Sequence, residues 1–121
     1  MNDPLYREII LEHWQNPKNY GVIKGASVDI TETNPICGDE MRITAKIKNK
    51  KISEIGFVSN GCAVSKAAMS VLTQMVKDMG VEEFEKMKPE KFLKTFGAVF
   101  SPARVKCALL GFSTLKKALK S

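Results

Sequence analysis

The chain has 121 residues, 44% of them hydrophobic and 26% charged, as in an ordinary globular protein with one core. No apolar run approaches the ~20 residues of a membrane-spanning helix, and charged residues interrupt the N-terminal apolar stretch, unlike a secretory signal. The net charge is +6, but the basic residues are spread along the chain without interleaved aromatic residues, which argues against nucleic-acid binding. The composition predicts a cytoplasmic protein that binds neither a membrane nor nucleic acid.

The first half of the chain changes from helical to strand periodicity. A helix is predicted from Pro4 to about Asn16, because Asp3 can cap it and apolar residues recur at helical spacing. Alternating apolar and polar residues then predict three strands, at 27–33, 41–48 and 51–59. A tight turn at Asn49-Lys50 joins the last two, so we expect an antiparallel sheet with one wet face.

The second half of the chain has helical periodicity. It predicts helices at 63–79, 81–87, 89–100 and 102–120. Gly80 is expected to end the first of these, and Phe84, Phe92 and Phe96 are expected to face inward. Strands followed by helices indicate an α+β fold, a small three-stranded antiparallel sheet with helices packed on one face. We expect a single domain over residues 1–121.

The three cysteines stand at or near the ends of predicted elements. Cys37 lies in a loop between two strands beside Gly38, Cys62 lies where a strand gives way to a helix, and Cys107 lies in the first turns of the last helix. Loops and helix starts can bring side chains to one point from different directions. An odd number of dispersed cysteines in a reducing compartment argues against a disulfide framework.

The surroundings of the cysteines favour thiolates. The partial positive charge of a helix N-terminus favours the thiolate, which is the form that binds metal or accepts sulfur. Lys66 follows Cys62 by one turn, and Arg104 and Lys106 are close to Cys107. The residues alone leave two interpretations open, because no C-x-x-C pair marks a metal site: buried cysteines that only pack, or a three-thiolate site.

Four segments around these cysteines occur together in a known family. They are Asn16-Pro17-Lys18-Asn19, Asn34-Pro35-Ile36-Cys37-Gly38-Asp39, Gly56-Phe57 followed by Gly61-Cys62-Ala63, and Arg104-Val105-Lys106-Cys107-Ala108. With them the chain resembles, over nearly its full length, the iron–sulfur cluster assembly scaffolds of the IscU, SufU and NifU N-terminal type. The resemblance implies a three-stranded sheet with helices and a site at one end of the molecule. Its implied ligands are Cys37, Asp39, Cys62 and Cys107.

The resemblance also implies a function. By this resemblance, the chain would be a scaffold on which a labile [2Fe–2S] cluster is assembled from iron and from sulfur that a cysteine desulfurase delivers. The cluster would then pass to apo iron–sulfur proteins. The hard carboxylate of Asp39 would keep that cluster labile among soft thiolates. Such a scaffold is not an enzyme, because the carbon–sulfur chemistry belongs to the partner's cofactor. A homo-oligomer is compatible with the cluster-bound state.

Two departures from the IscU pattern define the alternatives. Lys106 stands where IscU-type scaffolds have a histidine, and Ser101-Pro102-Ala103-Arg104-Val105 replaces their Leu-Pro-Pro-Val-Lys chaperone motif. This segment is similar to SufU, whereas the spacing from Cys62 to Cys107 resembles IscU. The alternatives are a SufU-type zinc-dependent sulfur acceptor for a cysteine desulfurase, with zinc in the same site, and a structural zinc domain. The lone histidine, His13, is interpreted as a packing or surface residue.

Overall fold

The computed structural model describes residues 4–34, 38–95 and 102–120, and in them helices cover one sheet. Its elements, in chain order, are α1 (Pro4–Gln15), β1 (Val28–Asn34), β2 (Asp39–Lys48), β3 (Lys51–Asn60), α2 (Ala63–Val76), α3 (Val81–Lys86), α4 (Pro89–Lys94) and α5 (Pro102–Leu119). The predicted α+β class and three-stranded antiparallel sheet are confirmed. In the described ranges we find no helix with the length and hydropathy that crossing a membrane requires.

The sheet has the strand order β1-β2-β3, with β2 in the centre. Ile43 of β2 pairs with Ile30 of β1 and with Phe57 of β3. Met41, Ile43 and Ala45 alternate along β2 and are fully buried under the helices, whereas Arg42 between them is exposed. The strand periodicity of the sequence therefore predicts the core face of β2 correctly. On the opposite face the expectation of a wet surface fails at Thr44, which is buried because the preceding segment covers it and the Ile23 N–H donates to its hydroxyl oxygen at 2.9 Å.

A β-bulge next to the β2–β3 turn changes this alternation in β3. Lys46 pairs with Glu54 but Ile47 pairs with Ile52, so Ser53 is the extra residue. The Ser53 hydroxyl donates to the Lys46 carbonyl at 3.1 Å, which ties the bulge to β2. The bulge lets Ile52 and Ile55 both reach the core although they are three residues apart.

Three phenylalanines join the short helices to α5. The Phe92 ring stacks on the Phe112 ring with centroids 5.6 Å apart, and the Phe84 ring meets Phe112 edge-on at 5.3 Å. Phe84 and Phe92 are fully buried, as the sequence predicts. The third predicted core aromatic, Phe96, lies outside the described residues.

Two helices end earlier than the sequence predicts. The prediction that α2 reaches residue 79 and stops at Gly80 is wrong, because α2 ends at Val76. Asp78 adopts a left-handed conformation with φ of 68°, and its N–H donates to the Ile52 carbonyl at 2.7 Å. The chain therefore leaves the helix to bind the start of β3. α4 ends at Lys94, and residues 96–101 lie outside the described part.

A buried polar cluster on α2 holds the N-terminal segment. The Lys18 N–H donates to the Ser70 hydroxyl oxygen at 2.7 Å, and His13 Nδ1 lies 2.7 Å from the same oxygen. Asn19 Nδ2 donates to Thr73 Oγ1 at 3.0 Å. Ser70 and Thr73 are fully buried. We call these five residues the α2 clamp; in it His13 packs against α2.

Candidate metal centre

Three of the four ligands that the resemblance implies meet at one end of the sheet. Asp39 begins β2, Cys62 directly precedes α2 and Cys107 lies in α5. One ligand atom from each of the three lies within 4.8 Å of the others. Cys37, the fourth, lies outside the described residues. Its neighbour Gly38 has φ of 70°, the left-handed conformation expected of a glycine in that loop.

Asp39 enters the site from the buried face of the sheet. It is only 3% exposed, because it alternates with the core residues Met41 and Ile43 along β2. Its Oδ1 accepts a hydrogen bond from the Cys62 N–H at 2.9 Å. A buried carboxylate is costly unless it is paired or hydrogen-bonded, and this bond ties it to the N-cap residue of α2.

Cys62 is the N-cap of α2, and its sulfur acts as the capping acceptor. With φ of −73° and ψ of 163° it is extended, and its Sγ accepts the Ser65 N–H at 3.4 Å. The buried Ser65 hydroxyl lies 3.7 Å from that Sγ and 3.1 Å from the Cys62 carbonyl oxygen. The sulfur is therefore oriented by the first turn of the helix, whose dipole favours negative charge there.

The cation nearest to Cys62 in sequence is held by an aromatic ring. Lys66 Nζ lies 4.9 Å from the centroid of the Tyr20 ring, within the range of a cation–π contact. The Tyr20 ring packs edge-on against Phe57 at 5.1 Å, and its hydroxyl donates to the Ser59 carbonyl at 3.3 Å. Tyr20 thus fixes a positive charge one helical turn from Cys62.

The donor set suits zinc or iron. Cys62 and Cys107 are both half-buried. A tetrahedral zinc ion about 2.3 Å from each sulfur would place its ligand atoms roughly 3.7 Å apart. The Asp39, Cys62 and Cys107 donors therefore need to close only slightly to bind one ion. Two thiolates and a carboxylate also match the ligand types of iron–sulfur chemistry.

Sequence reasoning did not identify Ser65 or Tyr20 as parts of this end of the molecule, and it placed Gly61 in a motif beside Cys62 without giving it a role. Ser65 could have been found, because it stands at the third helical position after a residue in the N-cap position. Cysteine is not among the usual capping residues, so the signal is weak. The places of Gly61 and Tyr20 depend on pairing between distant segments, which the local sequence does not specify.

Similarity to known protein families shows to which family the chain belongs. Residues 5–121 match the model of the NifU-like N terminal domain. The chain belongs to this family.

Individual relatives of this NifU-like chain include proteins with two kinds of name. The zinc-dependent sulfurtransferase SufU of Bacillus subtilis is 31% identical over 132 residues, covering 95% of this chain and 89% of that protein. Iron–sulfur cluster assembly scaffold protein IscU 1 of Archaeoglobus fulgidus is 33% identical over 115 residues, covering 95% of this chain and 74% of that protein. A crystal structure of a candidate SUF-system scaffold from Fervidobacterium islandicum superposes with a TM-score of 0.78 at 26% identity, covering 96% and 97% of the two chains.

Proposed function

We propose that this protein is a scaffold on which a labile [2Fe–2S] cluster is assembled from iron and desulfurase-derived sulfur, before transfer to apo-proteins. The observation that carries the proposal is the convergence of a buried carboxylate and two half-buried thiols, from three elements, within 4.8 Å. The proposed ligands are Cys37, Asp39, Cys62 and Cys107. The relatives named as IscU scaffolds support this proposal.

The ligand set explains why a bound cluster would be transferable. Thiolates are soft ligands that match iron and sulfide, whereas the Asp39 carboxylate is hard and a poorer match. Cys62 and Cys107 are half-buried, so neither residue is enclosed in the core away from an acceptor protein. A bound cluster would be held by one weak ligand and by thiols near the surface, and this arrangement favours its transfer to another protein.

Sulfur would arrive through a partner. A desulfurase persulfide can give its outer sulfur to a thiolate of the scaffold, which forms a new persulfide and leaves the desulfurase thiolate behind. That sulfur needs two electrons before it becomes a bridging sulfide, so assembly requires an electron donor. This chain supplies oriented thiolates, such as Cys62 with the Ser65 N–H on its sulfur, and we propose that it is not itself an enzyme.

A SufU-type zinc-dependent sulfur acceptor is the second candidate. The observation in its favour is the segment Pro102-Ala103-Arg104-Val105-Lys106-Cys107, together with the similarity to the B. subtilis protein named a zinc-dependent sulfurtransferase. The same donor group fits zinc, which binds such sites more tightly than ferrous iron. Zinc in a preparation purified in air would therefore not distinguish the two functions.

Anaerobic reconstitution distinguishes them. Metal-free protein is incubated with ferrous iron, cysteine, a thiol reductant and a cysteine desulfurase, and then with an apo-ferredoxin. We expect the visible absorption of a [2Fe–2S] centre, its transfer to the ferredoxin, and loss of both when zinc is added first. Zinc-loaded protein that accelerates the desulfurase, combined with no transferable cluster, would establish the second candidate instead.

Three further features belong to the proposal. We propose that residues 1–121 act as one domain, that the protein works in the cytoplasm, and that a homo-oligomer is compatible with the cluster-bound state. The partners are a cysteine desulfurase and apo iron–sulfur proteins. Lys106 is exposed on α5, and by the resemblance it replaces the histidine that IscU-type scaffolds have at that position. We therefore assign the non-thiolate ligand to Asp39.

A further inference from the structure

Gly61 lies where any side chain would collide with Asp39. Glu40 pairs with Asn60 across the β2–β3 ladder, so Asp39 and Gly61 are the next two residues, facing each other beyond this pair. A Cβ atom at residue 61 would lie 2.5 Å from Oδ1, 2.7 Å from Cγ and 2.9 Å from Cβ of Asp39. Real Cβ atoms do not approach heavy atoms this closely, so one of the two residues would have to move.

The hydrogen bond from Cys62 to Asp39 depends on the same contact. Oδ1 of Asp39 is both the acceptor of the Cys62 N–H, at 2.9 Å, and the atom nearest to a Cβ at residue 61. A side chain at 61 would therefore displace the oxygen that holds the carboxylate against the start of α2. The backbone around Gly61 is not in the left-handed region, so the need for glycine here is one of space.

We propose that Gly61 is a positioning residue of the metal centre: its missing side chain lets Asp39 lie against the backbone and reach the group formed with Cys62 and Cys107. The inference rests on the proposed ligand role of Asp39. Because Asp39 is 3% exposed, it cannot be displaced without either leaving the site or disturbing the core. Gly61 thus determines whether a carboxylate takes part in binding at all.

The experiment compares Gly61→Ala, Asp39→Gly and the double variant with the parent protein. Zinc affinity is measured by competition with a chromophoric chelator, and cobalt(II) spectra report the ligand set. We expect Gly61→Ala to lower zinc affinity by roughly 10–100-fold, the usual effect of losing support for a ligand. Its cobalt d–d bands should match those of Asp39→Gly, while the thiolate-to-cobalt charge-transfer absorption stays at the parent's intensity.

The double variant tests the mechanism. Since Asp39→Gly removes every Asp39 side-chain atom that a Cβ at 61 would meet, adding Gly61→Ala to it should cause no further loss of affinity. Additive losses would overturn the inference, as would parent-like zinc binding by Gly61→Ala. Gly80→Ala is the matched control, because a Cβ there meets nothing closer than 3.9 Å and φ is not positive; it should bind zinc like the parent.

Two outcomes separate this inference from the proposed function. A parent protein without thiolate-to-cobalt absorption would refute the proposed cysteine ligands, and an Asp39→Gly variant that binds like the parent would refute Asp39 as a ligand. Either result would refute the inference as well. Parent-like binding by Gly61→Ala alone refutes the inference and leaves the ligands standing. If Gly61→Ala does not fold, a folded double variant supports the collision with Asp39, and an unfolded one overturns it.

Discussion

Helix α2 has buried polar groups in two places, and the two groups have different roles. At its N-terminus the Cys62 sulfur accepts the Ser65 N–H, while the Cys62 N–H binds the Asp39 carboxylate. Two turns further on, the Ser70 and Thr73 hydroxyls of the α2 clamp bind the segment that follows α1. Both clusters pair side-chain atoms with backbone N–H groups, so the kind of hydrogen bond does not distinguish them.

The difference lies in what the hydrogen bonds leave exposed. In the α2 clamp, a fully buried Ser70 oxygen binds both the Lys18 N–H and His13, so the contact contributes to stability. At the helix start, the bonds orient the sulfur of the half-buried Cys62, which remains a donor for metal. Variants in the clamp should therefore change stability, whereas variants at the helix start should change binding.

Replacement of Cys62 by serine should have the largest effect. Cys62→Ser keeps a capping oxygen for the Ser65 N–H but removes a soft ligand. Stoichiometric zinc binding should be lost while the urea midpoint stays close to that of the parent. Cys37→Ala and Cys107→Ala should also lose the metal, and Ser70→Ala should keep it. Any of the three cysteine variants that binds zinc as tightly as the parent would show that its cysteine is not a ligand.

Ser70→Ala should have the largest effect on stability. It leaves the part-buried Lys18 N–H without its acceptor. An unsatisfied donor costs about 1–3 kcal/mol when it is fully buried, so we expect a loss near the lower end of that range. Urea unfolding followed by far-UV circular dichroism measures the free energy of unfolding. Thr114→Val is the control, because the Thr114 hydroxyl donates only within its own helix, to the Leu110 carbonyl at 2.7 Å. Equal losses in the two variants would show that the clamp contributes no more than an ordinary buried hydroxyl.

Two Asp39 variants remove the carboxylate ligand, one with and one without the hydrogen bond to Cys62. Asp39→Asn can still accept the Cys62 N–H, whereas Asp39→Ala cannot. Both remove the hard ligand, so both should slow cluster loss to an acceptor protein several-fold without abolishing assembly. The absorbance decay of the reconstituted cluster measures this rate. Faster loss than in the parent would mean that Asp39 retains the cluster.

The sequence predicts the sheet and α5 well because their signals are local. Alternation identifies the buried face of β2, and the turn at Asn49-Lys50 is formed by two adjacent residues with positive φ. The end of α2 is predicted wrongly because the bond from the Asp78 N–H to the Ile52 carbonyl joins segments far apart in sequence. Local helix signals cannot anticipate such a competitor.

The distinction between local signals and contacts that join distant segments applies to the metal centre as well. The ligand types and their positions near element ends are readable in the sequence, and the structure brings Asp39, Cys62 and Cys107 together. What could not be predicted is how Asp39 becomes buried, because this depends on the β2–β3 register that places Gly61 opposite it. The role of Cys37 as a ligand stays a prediction, since Cys37 lies outside the described residues.

The smallest effect is expected from the titration of His13 in the α2 clamp. Burial is the main cause that lowers the pKa of His13, the positive charge of Lys18 adds to it, and Glu12 opposes it. A neutral imidazole with its proton on Nε2 can accept a hydrogen bond from the Ser70 hydroxyl at Nδ1. The Ser70 oxygen can at the same time accept the hydrogen bond from the Lys18 N–H. The folded state therefore favours the neutral ring.

The sign of the pH dependence follows from this lowered pKa. As the pH falls below about 6.5, the histidine of the unfolded chain binds a proton first. The free energy of unfolding should therefore decrease until the pH reaches the lower pKa of the folded state, and should not change further through His13 below that. Urea unfolding between pH 7.5 and 5.5 should show a steeper decline for the parent than for His13→Gln, which has no titrating ring. Parallel declines would show that the imidazole has the same proton affinity in both states, and that the clamp holds His13 without regard to its charge.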